Sequence, residues 1–366
     1  MSSVGTPSAR RHLRAKPARP RSHRVQRGPA FEQTVLLLQG GGALGSYQAG
    51  VYQALAAANL HPDWIAGVSI GAVNAALIAG NAPVPAQSGS RLGDRDARRT
   101  RFLQAASAVA APLSIWWHRG AEPLRCGPVE GTIERLVDFE RINAGLTRIS
   151  VGAVNVRNGN LVYLDNMMHE IKLGHVLASG SLPPGFPATD IDGEYYWDGG
   201  IVSNTPLQWV VDSRPRKDTL AFQVDLWNPN GALPRDLTEV DVRAREIRFS
   251  SRTRQGIDRY KYEQKLRRAA ADLLKRLPAE MKNEPDVKLL EQEADDKVCN
   301  LVHLIYRSKS YEGIAKDYEF SRRAMEEHWK SGYDDAVASL RHPEVLQRPD
   351  NPEGIRIFDF GELGER

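Results

Sequence analysis

Long apolar runs, cysteine and clustered metal-ligand residues are what this 366-residue chain is short of, and each shortage excludes a class of protein. No stretch approaches the roughly 18 consecutive apolar residues that a membrane-spanning helix requires, so a helical integral membrane protein is excluded. Two cysteines, Cys126 and Cys299, do not make a disulfide framework. A reducing compartment is the simpler reading, and a cytoplasmic location is the expectation. No group of His, Cys, Asp and Glu has ligand spacing, so neither a metal nor a cofactor is expected. Acid is missing from residues 1–30, which carry eight Arg or Lys and leave residues 31–366 at a net charge of −4 within a total of +4. That stretch has Pro, Ser and Gly, no apolar block and no secretory h-region, so it reads first as a solvated, disordered basic tail. Weak attraction to anionic lipid or nucleic acid is the second reading. A mitochondrial-type presequence is the third, because the amphipathic pattern is poor.

What is present begins with Gly67-Val68-Ser69-Ile70-Gly71. The apolar run Trp64-Ile65-Ala66 precedes it and a helical pattern from Ala72 to Ala79 follows, which predicts a strand, a sharp turn and a helix with Ser69 at the tip. Gly67 and Gly71 suit a crowded turn that holds a hydroxyl out at the end of a sheet, and the amides of the helix that follows face any negative charge beside that oxygen. A plain serine N-cap is the bland reading of the same five residues.

Upstream, Gln33–Gln39 predicts a buried parallel strand leading into Gly40-Gly41-Gly42-Ala43-Leu44-Gly45 and a helix over Tyr47–Ala58. Successive glycines before a helix leave backbone N–H groups uncovered and form an anion hole. No Gly-Lys-Ser/Thr follows, which disfavours a P-loop, and a dinucleotide fingerprint fits only loosely. With a candidate nucleophile on the next strand, an oxyanion is the better occupant.

Residues 82–101 read as a surface loop and Phe102–Leu113 as an apolar helix, with Trp116-Trp117 read first as core packing. Thr147–Val156, the Asn158-Gly159 turn and Leu161–Leu164 predict a hairpin. His175–Ser181 predicts a short helix and Gly193–Trp197 a strand, followed by Asp198-Gly199-Gly200 as a tight turn. Asn204 and Pro206 open another helix. An aspartate at a strand end, freed by Gly199 and Gly200, is placed like a reactive carboxylate, although most Asp-Gly pairs are ordinary turns. After a strand at Leu220–Leu226, residues 243–276 hold twelve Arg or Lys against four acids. Ile257, Tyr260, Leu266, Ala270, Leu273, Leu274 and Leu277 recur there at helical spacing, a basic amphipathic helix that either covers a core or meets a membrane surface. A strand at Leu301–Tyr306 and a helix over Ser321–Leu340, with Met325, Trp329, Tyr333, Val337 and Leu340 on one side, complete the pattern.

Taken together, Gly40-Gly41-Gly42 before a helix, Gly67-Val68-Ser69-Ile70-Gly71 on the next strand and helix, and Asp198-Gly199-Gly200 with Asn204 and Pro206 resemble the patatin-like phospholipase family over about residues 33–225. The stretch from Tyr311 through Lys316-Asp317-Tyr318-Glu319-Phe320-Ser321 to Trp329 is similar to the C-terminal extension of a bacterial branch of that family. The resemblance implies a three-layer α/β fold with a mostly parallel central sheet and a helical C-terminal extension. It divides the chain into a basic tail (1–30), a catalytic domain (31–228), a mainly helical extension with at least one strand (229–345) and a C-terminal tail (346–366). It also implies a serine lipid acyl hydrolase in which Ser69 is the nucleophile, Asp198 its base, and the amides around Gly40, Gly41 and Gly42 the oxyanion hole. The chain departs from the family at Leu44, where many members carry Arg or Lys, which weakens anionic head-group recognition at that spot. Lipid or ester substrates and peripheral contact with anionic membrane through residues 1–30 and 243–276 are the expected partners, with no specific nucleic acid.

Two rivals follow from the same residues. A Ser-His-Asp hydrolase would draw a late histidine from His303, His328 or His342. A non-catalytic scaffold would keep the fold and use the basic helix and tail to sit on membranes or partners.

Overall fold

The computed structural model describes residues 29–83, 127–308 and 316–360. The expectations for residues 1–28, for most of the 82–101 loop, for Phe102–Leu113 and for Trp116-Trp117 lie outside the described residues.

Strand β1 (Gln33–Leu38) is the apolar run Val-Leu-Leu-Leu and is buried on both faces, as a central parallel strand must be. It is followed by the glycine loop, helix α1 (Gly45–Ala57), strand β2 (Trp64–Val68) and helix α2 (Ile70–Ala79). Every residue of α2 is buried. That is why its sequence is apolar all round rather than amphipathic.

Next come α3 (Gly127–Leu136), α4 (Phe139–Asn143), β3 (Arg148–Asn155) and β4 (Leu161–Asp165). The β3–β4 pair is the expected antiparallel hairpin. The chain continues through α5 (Leu173–Gly180), β5 (Thr189–Ile191), β6 (Glu194–Asp198), α6 (Leu207–Asp212) and β7 (Thr219–Asp225). The C-terminal part holds α7 (Leu237–Arg276), α8 (Pro285–Glu293), β8 (Cys299–Ile305), α9 (Arg322–Leu340) and β9 (Ile355–Phe358).

One mostly parallel sheet runs β5-β6-β3-β2-β1-β7-β8-β9, with β4 beside β3. Alternate residues of each strand serve opposite layers. Leu36, Leu38, Ile65, Phe222 and Val302 face a core shared with α1–α5 and α9. Val35, Leu37, Trp64, Ala66, Ala221 and Leu301 face a second core under α6 and α7. Each buried Leu, Ile, Val or Phe contributes roughly 1.5–3 kcal/mol, and the two layers use both faces of every central strand. The three-layer α/β architecture is therefore as expected.

Three details differ from the sequence reading. Residues 346–366, read as a tail, contain β9, which pairs in parallel with β8 from Cys299 opposite Ile355 to Val302 opposite Phe358. The boundary at residue 228 falls within one sheet, since β8, the strand expected of the extension, pairs along its length with β7 of the first part. Third, the basic helix is not one apolar stripe. Ile257, Tyr260, Gln264 and Arg267 turn inward at spacings of three and four, while Leu266 is 51% and Leu273 44% exposed.

Candidate active site

The parallel strands carry their C-terminal ends to one edge of the sheet, where open α/β folds present ligand sites. Ser69 sits there, between β2 and α2, with φ 58° and ψ −126°. This left-handed backbone is rare for a residue with a side chain and costs on the order of 1–3 kcal/mol. Its surroundings hold it in place. The Ser69 amide donates to Ser179 Oγ at 2.9 Å, the Ser179 hydroxyl donates to the Gly152 carbonyl at 2.6 Å, and the Ser69 carbonyl accepts from the Ala72 and Val73 amides.

The flanking glycines are required by crowding. A Cβ on Gly67 would lie 2.2 Å from the Gly71 carbonyl oxygen, and one on Gly71 would lie 2.3 Å from that of Leu38. The turn is thus pressed against itself on one side and against β1 on the other. Ser69 is only half-buried, so its hydroxyl is reachable.

Asp198 reaches the same point from a distant part of the chain through the register of β3. Residues Ala153 and Val154 pair with β4 on one edge and with β6 on the other. Gly152 pairs with Tyr163 of β4 and with Val68 of β2. Strands β2 and β6 therefore share one edge of β3 and meet end to end, Val68 opposite Gly152 and Asp198 opposite Ala153. The residue after Val68 is Ser69.

The Ser69 side chain lies near enough to the Asp198 carboxylate to draw its acidity down, and the Gly200 amide donates to Asp198 Oδ1 at 2.7 Å. Asp198 is 2% exposed. Burial pushes its carboxyl up from 3.8 to about 6, while Ser69 and the Gly200 amide pull in the opposite direction.

The three glycines of the loop after β1 do not have equal amides. Gly40 is held on both sides by Asn204: its N–H donates to Asn204 Oδ1 at 3.2 Å and its carbonyl accepts from Asn204 Nδ2 at 2.9 Å. Trp227 Nε1 donates to the same carbonyl at 2.8 Å. The Ala43 amide donates to the Asp317 carbonyl at 2.8 Å. Among the described residues the Gly41 and Gly42 amides have no partner, so these two are available to an anion.

Beneath the loop lies a satisfied polar floor. Gln39, fully buried, donates to Thr205 Oγ1 and the Phe249 carbonyl and accepts from the Leu226 and Trp227 amides. Such networks fix a loop in one arrangement.

Beside Ser69 opens an apolar cavity of about 70 Å³, walled by Ile70, Val73, Ile133, Val176, Phe186 and Phe320, with Gly42 at its rim. A larger cavity of about 440 Å³ lies at the opposite, N-terminal ends of the strands, against Gln33, Trp64 and Thr219. Most of its cations are engaged by acids: Arg148 by Asp165, Arg214 and Arg216 by Glu293, Arg267 by Glu263, and Lys297 by Glu32.

No late histidine joins Ser69. His303 pairs with Asp225 on β8, three strands from β2, which at about 4.8 Å per strand is roughly 14 Å away. His328 packs edge-on against Tyr306 and His342 stacks on Phe360. Leu44, the position at which the chain departs from the family pattern, is fully buried in the core, so a charge there would be unsolvated. The described residues contain no cluster of three or more metal-ligating side chains.

Sequence reasoning missed Ser179, Trp227 and Phe320, and it did not see that Asn204 holds the glycine loop. Asn204 was legible as part of a motif but not as a partner of Gly40. Ser179 and Phe320 carry no local signal, since only packing brings them to Ser69.

Two family models match the chain: patatin-like phospholipase over residues 36–210 and patatin phospholipase over residues 247–352. None of the curated proteins compared is a significant match. Among solved structures, that of VipD from Legionella pneumophila is 16% identical, covers 90% of this chain and 72% of its own, and superposes with a TM-score of 0.36. A likeness at that level carries no argument about the site.

Proposed function

The chain belongs to the patatin-like phospholipase family and is a hydrolase acting on lipid esters, and from that premise we propose a two-residue serine mechanism. Ser69 is the nucleophile and Asp198 the general base, while the Gly41 and Gly42 amides form the oxyanion hole and Gly40 anchors their loop. The observation that carries this reading is the strand register that sets a strained, reachable serine beside a buried carboxylate whose acidity lies near neutrality.

A serine hydroxyl becomes a competent nucleophile when a base removes its proton during attack. Asp198 accepts that proton as Ser69 Oγ bonds the ester carbonyl carbon. The carbonyl oxygen becomes an oxyanion facing the free amides, each worth roughly 3–4 kcal/mol in the transition state. Collapse expels the alcohol, which takes the proton back from Asp198 and leaves acyl-Ser69. Water then attacks the acyl carbon while giving its proton to Asp198, and the fatty acid leaves as Ser69 is reprotonated. The apolar cavity suits an acyl chain, which is bound through dispersion and desolvation rather than charge.

Intact-protein mass after treatment with a fluorophosphonate ester tests the reading. A single adduct on the wild type, absent from Ser69→Ala, is the expected result. A folded wild type that takes no adduct would favour a scaffold that keeps the fold without turnover.

Contact with anionic membrane belongs to the same proposal. Tyr262, Leu266 and Leu273 of α7 lie at spacings of four and seven on one stripe and are 64%, 51% and 44% exposed, beside exposed Lys261 and Lys265. Exposed apolar residues flanked by lysines suit the headgroup region. No described helix is long and apolar enough to cross a membrane. The protein is expected to sediment with phosphatidylglycerol vesicles more than with phosphatidylcholine vesicles at low salt, and a Tyr262→Ser, Leu266→Ser double variant is expected to lose most of that excess. Equal sedimentation with both lipids would remove the membrane part and leave the chemistry untouched.

A further inference from the structure

The segment Lys316–Phe320 belongs to the C-terminal part of the chain, yet it lies against the glycine loop. Gly42 has φ +54°, and a Cβ on it would lie 2.2 Å from the Asp317 carbonyl oxygen. That same oxygen accepts from the Ala43 amide at 2.8 Å. The loop is therefore moulded onto the Asp317 backbone and would collide with it if Gly42 carried a side chain. Phe320, three residues on, forms part of the cavity wall beside Ser69.

The segment is itself held from α7. Arg245 Nη1 donates to both carboxylate oxygens of Asp317 at 3.2 Å, and the guanidinium lies over the Tyr318 ring at 5.8 Å. Next to it, Lys316 Nζ pairs with Glu246, which Arg243 also engages at 2.9 Å. The Lys316 side chain is 4% exposed, and its ammonium stands 5.7 Å from the centre of the Trp227 ring. Trp227 in turn donates to the Gly40 carbonyl. Two oppositely oriented ion pairs, Arg245–Asp317 and Glu246–Lys316, thus fix two consecutive residues of the segment to two consecutive residues of the helix. The Lys316–Glu246 pair is buried and the Arg245–Asp317 pair is half-buried, at 21% and 19% exposure, so both are partly shielded from water and removing one partner leaves the other costly to accommodate.

We propose that Asp317, gripped by Arg245, is a positioning residue for the oxyanion loop, so that the C-terminal segment sets where the Gly41 and Gly42 amides point. The inference rests on the serine reading above. It assigns the C-terminal segment a task in the chemical step: an amide moved by a fraction of an ångström binds the substrate carbonyl as before but stabilises the tetrahedral oxyanion less.

The test compares wild type with Arg245→Ala, Arg245→Lys and Asp317→Asn, using a soluble ester, a trifluoromethyl ketone that forms a tetrahedral adduct with the serine, and an unreactive ether analogue. Arg245→Ala is expected to lower kcat between about tenfold and about 10²-fold with KM within about twofold. Its affinity for the ketone should fall in parallel with kcat/KM, while affinity for the ether stays unchanged. Arg245→Lys keeps the charge without the planar fork and should fall between Arg245→Ala and wild type. If Arg245→Ala does not fold, Asp317→Asn carries the same comparison, since it keeps the shape and the carbonyl. Folded variants whose ketone affinity and kcat stay within twofold of wild type would overturn the proposal, as would equal losses for ketone and ether. A wild type that forms no adduct with the fluorophosphonate or the ketone would instead remove the serine reading on which it stands.

Discussion

Replacing Ser69 by alanine is expected to lower kcat for ester hydrolysis by at least about 10³-fold, with KM little changed, because the hydroxyl forms its decisive bond only as the transition state is reached. Any residual rate is expected to come from the proposed oxyanion hole and substrate binding, which act without the nucleophile. Ser69 also occupies a strained backbone position, φ 58° and ψ −126°, and alanine has the same Cβ and therefore the same strain. A companion Ser69→Gly variant removes that Cβ, and it is expected to be equally inactive yet more stable by about 1 kcal/mol. The two variants separate chemistry from stability. Denaturant unfolding and steady-state kinetics read both, and an alanine variant retaining more than about a tenth of wild-type kcat would sink the assignment of Ser69.

The second large effect concerns Asp198. Asparagine can still accept from the Gly200 amide but cannot take a proton, so Asp198→Asn is expected to lower kcat by about 10²- to 10⁴-fold. The wild type should show the matching pH dependence. With the carboxyl pushed up to about 6 by burial, only the ionised form serves as base. The rate therefore rises about tenfold per pH unit below 6 and flattens above it.

Stability has the opposite sign. A folded carboxyl raised from 3.8 to about 6 binds its proton more tightly than the unfolded chain does. Its contribution is fully present below about pH 4 and is lost as pH rises through 6, a difference on the order of 3 kcal/mol. Asp198→Asn removes that loss, so the difference in unfolding free energy between variant and wild type should move in the variant's favour from pH 4 to pH 7. A wild-type profile of kcat/KM that is flat from pH 5 to pH 8 would contradict the role of Asp198. On the proposed mechanism these are two halves of a trade between function and stability: the desolvation that would make the carboxylate a useful base makes it expensive to keep ionised.

Much of this was legible in the residues alone, where the controlling physics is short-range. Gly67 and Gly71 announce a turn too crowded for side chains, the apolar run before them a buried strand, and the glycines from Gly40 to Gly42 a loop of uncovered amides. Each depends on sterics and hydrogen bonding within a few residues, so the order of strand, loop, helix, strand, turn and helix follows from the chain itself. The pairing of β7 with β8, the strand β9 in what reads as a tail, and the inward and outward division of α7 were not legible. Burial in each case is decided by elements far away in the chain.

The sequence by itself determined which chemical groups are available and on what local geometry they stand: a serine at a sharp turn, an aspartate freed at a strand end, a set of glycine amides. The tertiary structure alone decided which of them meet. The register of β3 sets β2 and β6 end to end and so brings Asp198 to Ser69. Asn204 takes the Gly40 amide and leaves those of Gly41 and Gly42, and Asp317 comes to rest on the loop from the far side of the chain. The reason is that contacts between residues distant in sequence depend on strand register and layer packing, and no local spacing records either.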